Sequence, residues 1–235
     1  MPQTPIRIDF GTEPGSAPPA RTLASAIVMQ LRADIVSCRI RPGEKLNIST
    51  ISKRFDVSLA AVREALSRLM AAGLVVAEDQ RGFRASPLSI PDLMDLTQTR
   101  IEIESLALRR SMQNGDAAWR ENVMLAWRSL QAIPRTLAHD RGQHNEAWTV
   151  MHGQFHAALV SACGLQWLMR FRNTLYEQSE RYRRMAVAIK SSGRDIDAEH
   201  RAIVEAVLAG DAEQATRAMA RHIERTTAAI AEVHR

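Results

Sequence analysis

Four of the seven histidines have the spacing of metal ligands that meet inside a helical protein. His152 and His156 are four residues apart, so they lie on one face of a helix. His200 and His222 each share a predicted helix face with apolar residues of their own segments. A lone inward histidine is usually a hydrogen-bonded core residue. Four of them from three helices favour a metal site, because helical bundles build such sites from facing helices.

Two charged residues, Arg100 and Glu104, lie in the middle of an otherwise apolar helix face. Leu93 and Leu96 share this face in a helix predicted over residues 90–113. A buried charge is costly unless it is paired. One interpretation is therefore an ion pair between Arg100 and Glu104. The other is that the guanidinium of Arg100 holds the carboxylate of a small ligand by two hydrogen bonds.

The spacing of His152 and His156 also occurs in zinc hydrolases with the motif H-E-x-x-H. In those enzymes the glutamate after the first histidine is the general base that activates a metal-bound water. Gly153 occupies this position and can neither accept nor deliver a proton. A metal-dependent hydrolase is therefore the weaker alternative. A DNA-binding protein with a purely structural bundle is another, although leucine would suit such a bundle better than Arg100 and the histidines.

The elements that must position these residues are predicted to be helices. Apolar residues recur at helical spacing, with glycines between the segments, over residues 90–113, 116–134, 143–163, 165–190, 195–209 and 211–233. Six helices with short connections indicate an antiparallel helical bundle. Within the fourth helix, Arg181, Arg183 and Arg184 are expected to be mostly exposed, because a run of charges usually marks a solvated face.

The N-terminal part is predicted to be a helix-turn-helix followed by a β-hairpin, the wing. A short helix over residues 48–55 and a tight turn lead to a second helix with Ser58 as its N-cap. Strands over residues 74–77 and 82–85 follow. The outer face of the second helix is small and polar, with Arg63 as its one long cation. Such a face fits the major groove of DNA, where Arg63 can reach a base edge or a phosphate.

Charge and composition agree with this division. The chain has 235 residues, 46% of them hydrophobic, which is enough for two modest domains. Residues 21–90 contain 11 Lys/Arg and 6 Asp/Glu, and this excess of five equals the net charge of the whole chain, +5. The positive charge is therefore concentrated in the part predicted to bind DNA phosphates. The expected organisation is a flexible arm, a winged helix-turn-helix domain, a linker and a helical domain, over residues 1–20, 21–86, 87–91 and 92–235.

Several short segments of the N-terminal part match a known domain: Ile40-Arg41-Pro42-Gly43-Glu44-Lys45-Leu46, Val57-Ser58, Val62-Arg63-Glu64-Ala65-Leu66, Gly73-Leu74-Val75 and Arg81-Gly82. They resemble the winged-helix domain of the GntR family of bacterial transcription regulators. The resemblance implies that Arg63 specifies bases and that the wing backbone at Gly82 approaches the minor groove. In the family, an arginine that reads DNA usually follows the N-cap serine. Leu59 stands there, so one base contact is expected to be lost or replaced by an apolar contact. The side chains expected to position the protein on phosphates are Lys53, Arg54, Ser58, Arg68, Arg81 and Arg84.

The second half resembles the FCD effector domain of the same family, through Phe155-His156, Glu199-His200-Arg201-Ala202-Ile203 and Met219-Ala220-Arg221-His222-Ile223. Arg100 and Glu104 match the arginine and glutamate of its first helix. The resemblance implies a divalent metal, often zinc or nickel, with a small organic acid bound near it. The family commonly has aspartate where this chain has His152. Four imidazoles would favour Zn²⁺, Ni²⁺, Co²⁺ or Cu²⁺ over Mg²⁺, Ca²⁺ or Mn²⁺ and would leave more positive charge to attract an anion. Alternatively, His152 only supports the other three ligands.

These features predict a mainly α protein, with an N-terminal winged helix-turn-helix and a C-terminal antiparallel bundle of about six helices. The expected function is that of a regulator and not an enzyme, a repressor rather than an activator. It would bind a palindromic double-stranded DNA operator as a homodimer and sense a small carboxylate effector. Two cysteines, the lack of an apolar run that could span a bilayer and the lack of a signal-peptide pattern predict a cytoplasmic protein without membrane contact.

Overall fold

The part of the chain that the computed structural model describes comprises residues 23–78, 82–137, 140–185 and 194–233. The expected N-terminal arm over residues 1–20 lies outside this part, and so does Arg81, an expected phosphate contact.

The N-terminal unit is a helix-turn-helix with a wing, as predicted. Its elements are α1 (Leu23–Val36), β1 (Lys45–Leu46), α2 (Ile48–Phe55), α3 (Leu59–Ala71), β2 (Val75–Glu78) and β3 (Gly82–Ala85). The three strands form an antiparallel sheet in the order β1-β3-β2. The sequence does not predict strand β1, because two residues are too few to show the alternation of a strand.

Capping side chains fix the ends of the two helices that form the motif. Asn47 accepts a hydrogen bond from the N–H of Thr50 at the start of α2, and Asp56 ends this helix in the left-handed conformation, at φ 51°. Ser58 accepts a hydrogen bond from the N–H of Ala61, as expected of an N-cap. Helix α3 then packs its apolar face on α1, which leaves the opposite face exposed. The core between them contains Ile27, Leu31, Ile35, Val62, Ala65, Leu66 and Leu69.

Six described helices form the C-terminal unit, in agreement with the predicted helical domain. They are α4 (Ile90–Asn114), α5 (Ala117–Gln131), α6 (Glu146–Leu159), α7 (Gln166–Met185), α8 (Ile196–Leu208) and α9 (Ala212–Val233). Helix α4 packs against α7 and α9, α8 packs against α9, and α5 packs against α6 and α8. The core includes Leu108, Phe155, Leu159, Ile203 and Met219. None of the described helices combines the length and the hydropathy needed to cross a membrane.

Two predicted helix ends are wrong because a β-hairpin separates α5 from α6, and the end of α6, at Leu159, also falls four residues before its predicted end at residue 163. Helix α5 ends three residues before the predicted end, at Gln131, and α6 begins three residues after the predicted start, at Glu146. The hairpin consists of β4 (Thr136–Leu137) and β5 (Asp140–His144). Pro134 lacks the N–H that a continuing helix needs, and strands this short carry no periodic signal.

Helix α7 contacts both units. It packs on α4 within the bundle and on α1 of the N-terminal unit. Arg32 Nε of α1 donates to Glu177 Oε2 of α7 over 2.9 Å. Gln178 Nε2 donates over 3.1 Å to the carbonyl oxygen of Ala72, the C-cap of α3. A displacement of α7 would therefore act directly on the end of the helix predicted to read DNA.

Candidate metal centre and DNA-binding surface

The four histidines predicted to converge do so in the bundle. Helix α6 supplies His152 and His156, α8 supplies His200 and α9 supplies His222, and each is at most 5% exposed. One ring nitrogen from each residue lies within 4.8 Å of the others. Imidazoles this close, without an acidic ligand in the cluster, provide the donor set of a late transition metal rather than of Mg²⁺ or Ca²⁺.

The hydrogen bonds of the rings leave ligand positions free. The Nδ1–H of His222 donates to Glu199 Oε2 over 2.9 Å, which leaves its Nε2 lone pair available. Both ring nitrogens of His200 and Nδ1 of His156 are buried without a hydrogen-bond partner among the described residues. An unsatisfied buried nitrogen costs stability, so a metal ion that accepts the lone pair of His200 fits this site.

The electrostatic environment keeps the rings neutral. Burial, followed by the neighbouring histidines of the cluster and by nearby arginines, lowers the pKa of His152 and His156 well below 6.5. Burial and His222 lower the pKa of His200 to about 2, although Glu199 opposes this shift. Burial also lowers the pKa of His222, although the hydrogen bond to Glu199 opposes it. Metals bind the neutral imidazole, so these rings are in the binding form at pH 7.

Glu199 is a supporting residue that the sequence interpretation did not single out. Oε2 of Glu199 accepts the hydrogen bond of His222 and orients that ring. Oε1 of Glu199 accepts a hydrogen bond from Arg194 Nε over 2.7 Å. Burial raises the pKa of this carboxyl, but hydrogen bonds from Arg194 and His222 outweigh burial and lower the pKa to about 2. The only signal in the sequence was that Glu199 directly precedes His200.

His152 has a different environment from the other three rings. It stacks on Trp148, with ring centroids 4.7 Å apart. Arg183 Nη1 lies 2.9 Å from its Nδ1, and the Tyr176 hydroxyl lies 3.4 Å from the same nitrogen. Its Nε2 lies 3.1 Å from Nε2 of His156. Whether His152 ligates a metal therefore depends on Arg183 as well as on the ring itself.

Arg100 and Glu104 are both buried, at 7% and 1% exposure, and form the ion pair that one interpretation anticipates. Arg100 does not have this carboxylate to itself. Arg172 Nε binds one oxygen of Glu104 at 3.0 Å, and Arg100 Nη2 binds the other at 3.3 Å. Nε of Arg100 has no hydrogen-bond partner in the described part of the chain. Two buried guanidiniums thus share one carboxylate, which leaves donors for a ligand carboxylate.

The expectation that the arginines near the end of α7 are mostly exposed is wrong. Arg181 is 2% exposed and donates to the carbonyl oxygen of Ser86 and to Gln178. The side chains of Arg183 and Arg184 are 15% and 13% exposed. Their low exposure arises because α7 is enclosed by the bundle on one side and by the N-terminal unit on the other, which its own charge pattern does not reveal.

The outer face of α3 presents the predicted base-contacting residue to solvent. Arg63 is exposed and has no hydrogen-bond or ion-pair partner among the residues described. Ala60, Glu64 and Ser67 are also exposed, as predicted for this face. Leu59, at 44% exposure, places an apolar side chain at the start of the helix. The face is therefore free to enter a groove of DNA.

The predicted phosphate contacts fall into two groups. Lys53 and Arg68 are exposed and are not ion-paired within the described chain. Arg54 forms an ion pair with the buried carboxylate of Asp34, at 2.9 Å. Arg84 is paired with a carboxylate of strand β2. The two paired arginines already bind carboxylates and must share their donors if they contact DNA. Gly82, at the start of β3, has φ 92°, a conformation that favours glycine.

Two family profiles match the chain. The FCD domain matches residues 95–225, which is more than half of the chain and contains the histidine cluster and Arg100. The profile described as bacterial regulatory proteins, gntR family, matches residues 23–84, which contain α3 and most of the wing.

Related proteins match over most of their length. An HTH-type transcriptional regulator of Paraburkholderia xenovorans (strain LB400), BphR, is 40% identical over 89% of this chain and 86% of that protein. The HTH-type transcriptional repressor GlaR of Escherichia coli (strain K12) is 29% identical over 82% of this chain and 89% of that protein. The solved structure of E. coli McbR/YncC shares the fold, with a TM-score of 0.75 and 18% identity over 91% of this chain and 99% of that chain. These matches are to transcription regulators and not to enzymes, which argues against a metal-dependent hydrolase.

Proposed function

The chain belongs to the GntR family of bacterial regulatory proteins and carries an FCD domain, and from this premise we propose that it is a metabolite-responsive repressor. It binds a palindromic operator as a homodimer, one α3 helix per half-site, and senses a small organic acid at a metal in the bundle. It acts in the cytoplasm. Residues 21–86 form the DNA-binding domain and residues 92–235 the effector domain, joined at residues 87–91. Repression is favoured over activation because GlaR is named a repressor.

One observation carries the sensing half of this proposal. Ring nitrogens of four buried histidines, from three helices, lie within 4.8 Å of one another, and both nitrogens of His200 lack a partner among the described residues. A structural bundle would be more stable with apolar side chains in these positions. We assign the ligands as His156, His200 and His222, with His152 as the fourth. When bound, zinc or nickel would supply a positive centre that attracts a carboxylate, and Arg100 would orient that carboxylate.

The purified protein is expected to contain about one zinc or nickel ion per chain, because the neutral imidazoles of His156, His200 and His222 already form a donor set for these metals. Elemental analysis of protein prepared without chelators measures this directly. His200→Ala is the cleanest ligand variant, since His200 has no hydrogen bond to another described residue that the substitution would break. It should lose the metal and the thermal stabilisation that the metal confers, with its helix content unchanged by circular dichroism. Wild-type protein that contains no zinc or nickel even after reconstitution would rule out the metal site.

The transmission of the signal is proposed to run through α7. One side of this helix places Tyr176 and Arg183 against His152, and the other side places Gln178 against the C-terminus of α3. An effector bound at the metal would favour one position of α7, and hence one spacing of the two α3 helices in the dimer. Such a population shift requires that the effector bind the two arrangements with different affinity.

Gln178→Ala is expected to preserve operator binding but to weaken the effector response, because it removes the hydrogen bond from α7 to Ala72 as well as the one that Arg181 donates to Gln178. In wild-type protein the effector should change operator affinity by about 5- to 150-fold, the usual range of allosteric coupling. Operator titrations with and without effector, followed by fluorescence anisotropy, measure the coupling. Thr174→Ala is the matched control, since the hydroxyl of Thr174 bonds only to Arg170 of its own helix. Equal coupling in Gln178→Ala and Thr174→Ala would show that this contact does not transmit the signal.

A further inference from the structure

Three arginines surround one tyrosine beside the histidine cluster. The guanidinium carbons of Arg172 and Arg183 each lie 4.8 Å from the ring centre of Tyr176, and that of Arg100 lies 5.6 Å away. The hydroxyl of this tyrosine lies 3.4 Å from Nδ1 of His152. The arginine cluster, defined as Arg100, Arg172 and Arg183, therefore surrounds a tyrosine that itself lies next to the proposed metal ligand His152.

The arginine cluster has more charge and more donors than its protein partners satisfy. Its three cations face two carboxylates within the part of the chain that the structure describes, those of Glu104 and Glu180. Each of the three guanidiniums has one buried N–H group without a hydrogen-bond partner in the described residues. A divalent ion held by neutral imidazoles would raise the local excess from one positive charge to three. A buried excess of this size needs an anion, and a single carboxylate would still leave two positive charges uncompensated.

Arg183 also controls which nitrogen of His152 can bind a metal. A guanidinium only donates, so Nδ1 of His152 accepts from Arg183 over 2.9 Å. The proton of the neutral His152 ring is then on Nε2. This Nε2–H donates to Nε2 of His156 over 3.1 Å. A protonated Nε2 cannot ligate a metal. For His152 to become a ligand through Nε2, Arg183 has to leave Nδ1 so that the proton can occupy that nitrogen.

We infer that the effector is a dicarboxylate and that Arg183 determines this specificity. The inference rests on the proposed function and extends it. One carboxylate would bind the metal held by the histidines, and the other would be bound by Arg183 together with its neighbours in the arginine cluster. The second carboxylate replaces Nδ1 of His152 as the acceptor of Arg183, and the freed ring then offers Nε2 to the metal. A dicarboxylate and the metal therefore bind cooperatively, whereas a monocarboxylate leaves Arg183 on His152.

Succinate and butyrate test this inference, because they share a four-carbon chain and differ in the second carboxylate. The measured quantity is the apparent Kd of the full-length protein for zinc, in competition with a chromophoric chelator, with and without each acid. Succinate is expected to tighten zinc binding by about 5- to 150-fold, the range of a typical coupling between two ligands, and butyrate to have a much smaller effect. Reciprocally, zinc should tighten the binding of succinate by the same factor.

Two variants of neighbouring arginines separate the role of Arg183 from a general charge effect. Arg183→Met should bind zinc without help from succinate and should lose the preference for succinate over butyrate. Glu180 keeps Arg184 as a partner in this variant, at 3.2 Å, so the fold is retained. Arg184→Met is the control, because the side chain of Arg184 has a similar exposure but binds Glu146 and Glu180 rather than a histidine.

The outcomes distinguish the inference from the function on which it rests. Equal enhancement by both acids in wild-type protein, or a succinate preference that persists in Arg183→Met, overturns the dicarboxylate inference and leaves the metal sensor standing. Loss of the preference in Arg184→Met as well as in Arg183→Met would reduce the effect to net charge and also overturn it. Wild-type protein that binds no zinc under any of these conditions overturns the proposed sensing function together with the inference.

Discussion

Arg63→Ala is expected to abolish sequence-specific DNA binding while leaving the protein folded. Arg63 is the long exposed cation at the centre of the outer face of α3, and it has no partner among the described residues that would hold it away from DNA. A bidentate contact between arginine and a base contributes about 1–3 kcal/mol of discrimination. The proposed dimer would use the residue twice, so the expected loss is about 2–6 kcal/mol, or roughly 30-fold to 20,000-fold in operator affinity.

The operator for this test is obtained by selection from a random DNA library with wild-type protein, and affinities are measured at one fixed salt concentration. Arg68→Ala is the matched control on the same helix. As a phosphate contact, Arg68 should contribute equally to operator and random DNA, so its loss should weaken both and reduce the salt dependence. If Arg63→Ala instead weakens both kinds of DNA equally, Arg63 is a phosphate contact and base recognition lies elsewhere, with Leu59 the first candidate.

The helical periodicity of the sequence was sufficient to predict the histidine cluster but not its surroundings. His152, His156, His200 and His222 each occur in phase with apolar residues of one helix, and inward positions on neighbouring helices of a bundle must meet. The hydrogen-bond partner of each ring, in contrast, does not follow from the periodicity of its helix. Glu199 reaches His222 across two helices, and that contact depends on how α8 and α9 cross rather than on any spacing within a helix.

Helix α7 shows the same limit more clearly. Its charged residues follow the pattern of a solvated surface, and sequence reasoning placed most of its arginines in solvent. Burial of Arg181 and Arg183 follows from tertiary packing, since α7 is covered by the bundle and by α1 at once. The hairpin of β4 and β5 is a comparable case, because its short strands have no period to detect. Features that follow from the periodicity of a single helix were predictable, including which histidines point into the bundle, whereas contacts that depend on how two elements cross were not.

Glu104→Leu is expected to lower the free energy of unfolding by about 3–5 kcal/mol, because it leaves two buried guanidiniums without their shared carboxylate. Glu104 is 1% exposed and binds both Arg100 and Arg172. Arg100→Leu should cost less, since the pair between Glu104 and Arg172 remains, and it should blunt the response to a carboxylate without affecting operator binding. Equilibrium unfolding in urea gives the free energies, and a Glu104→Leu variant as stable as wild type would contradict the ion-pair assignment.

The triple variant Arg100→Leu, Glu104→Leu, Arg172→Met separates stability from function. Replacing a whole buried ion cluster with apolar side chains of similar volume is often neutral or stabilising by about 1–4 kcal/mol. The triple variant should therefore regain the stability that Glu104→Leu loses, yet remain unresponsive to carboxylates at every concentration tested. That combination would mean that the charges are maintained for ligand binding, because the fold does not need them. A triple variant that is less stable than Glu104→Leu would instead show that the bundle needs these charged side chains for its stability.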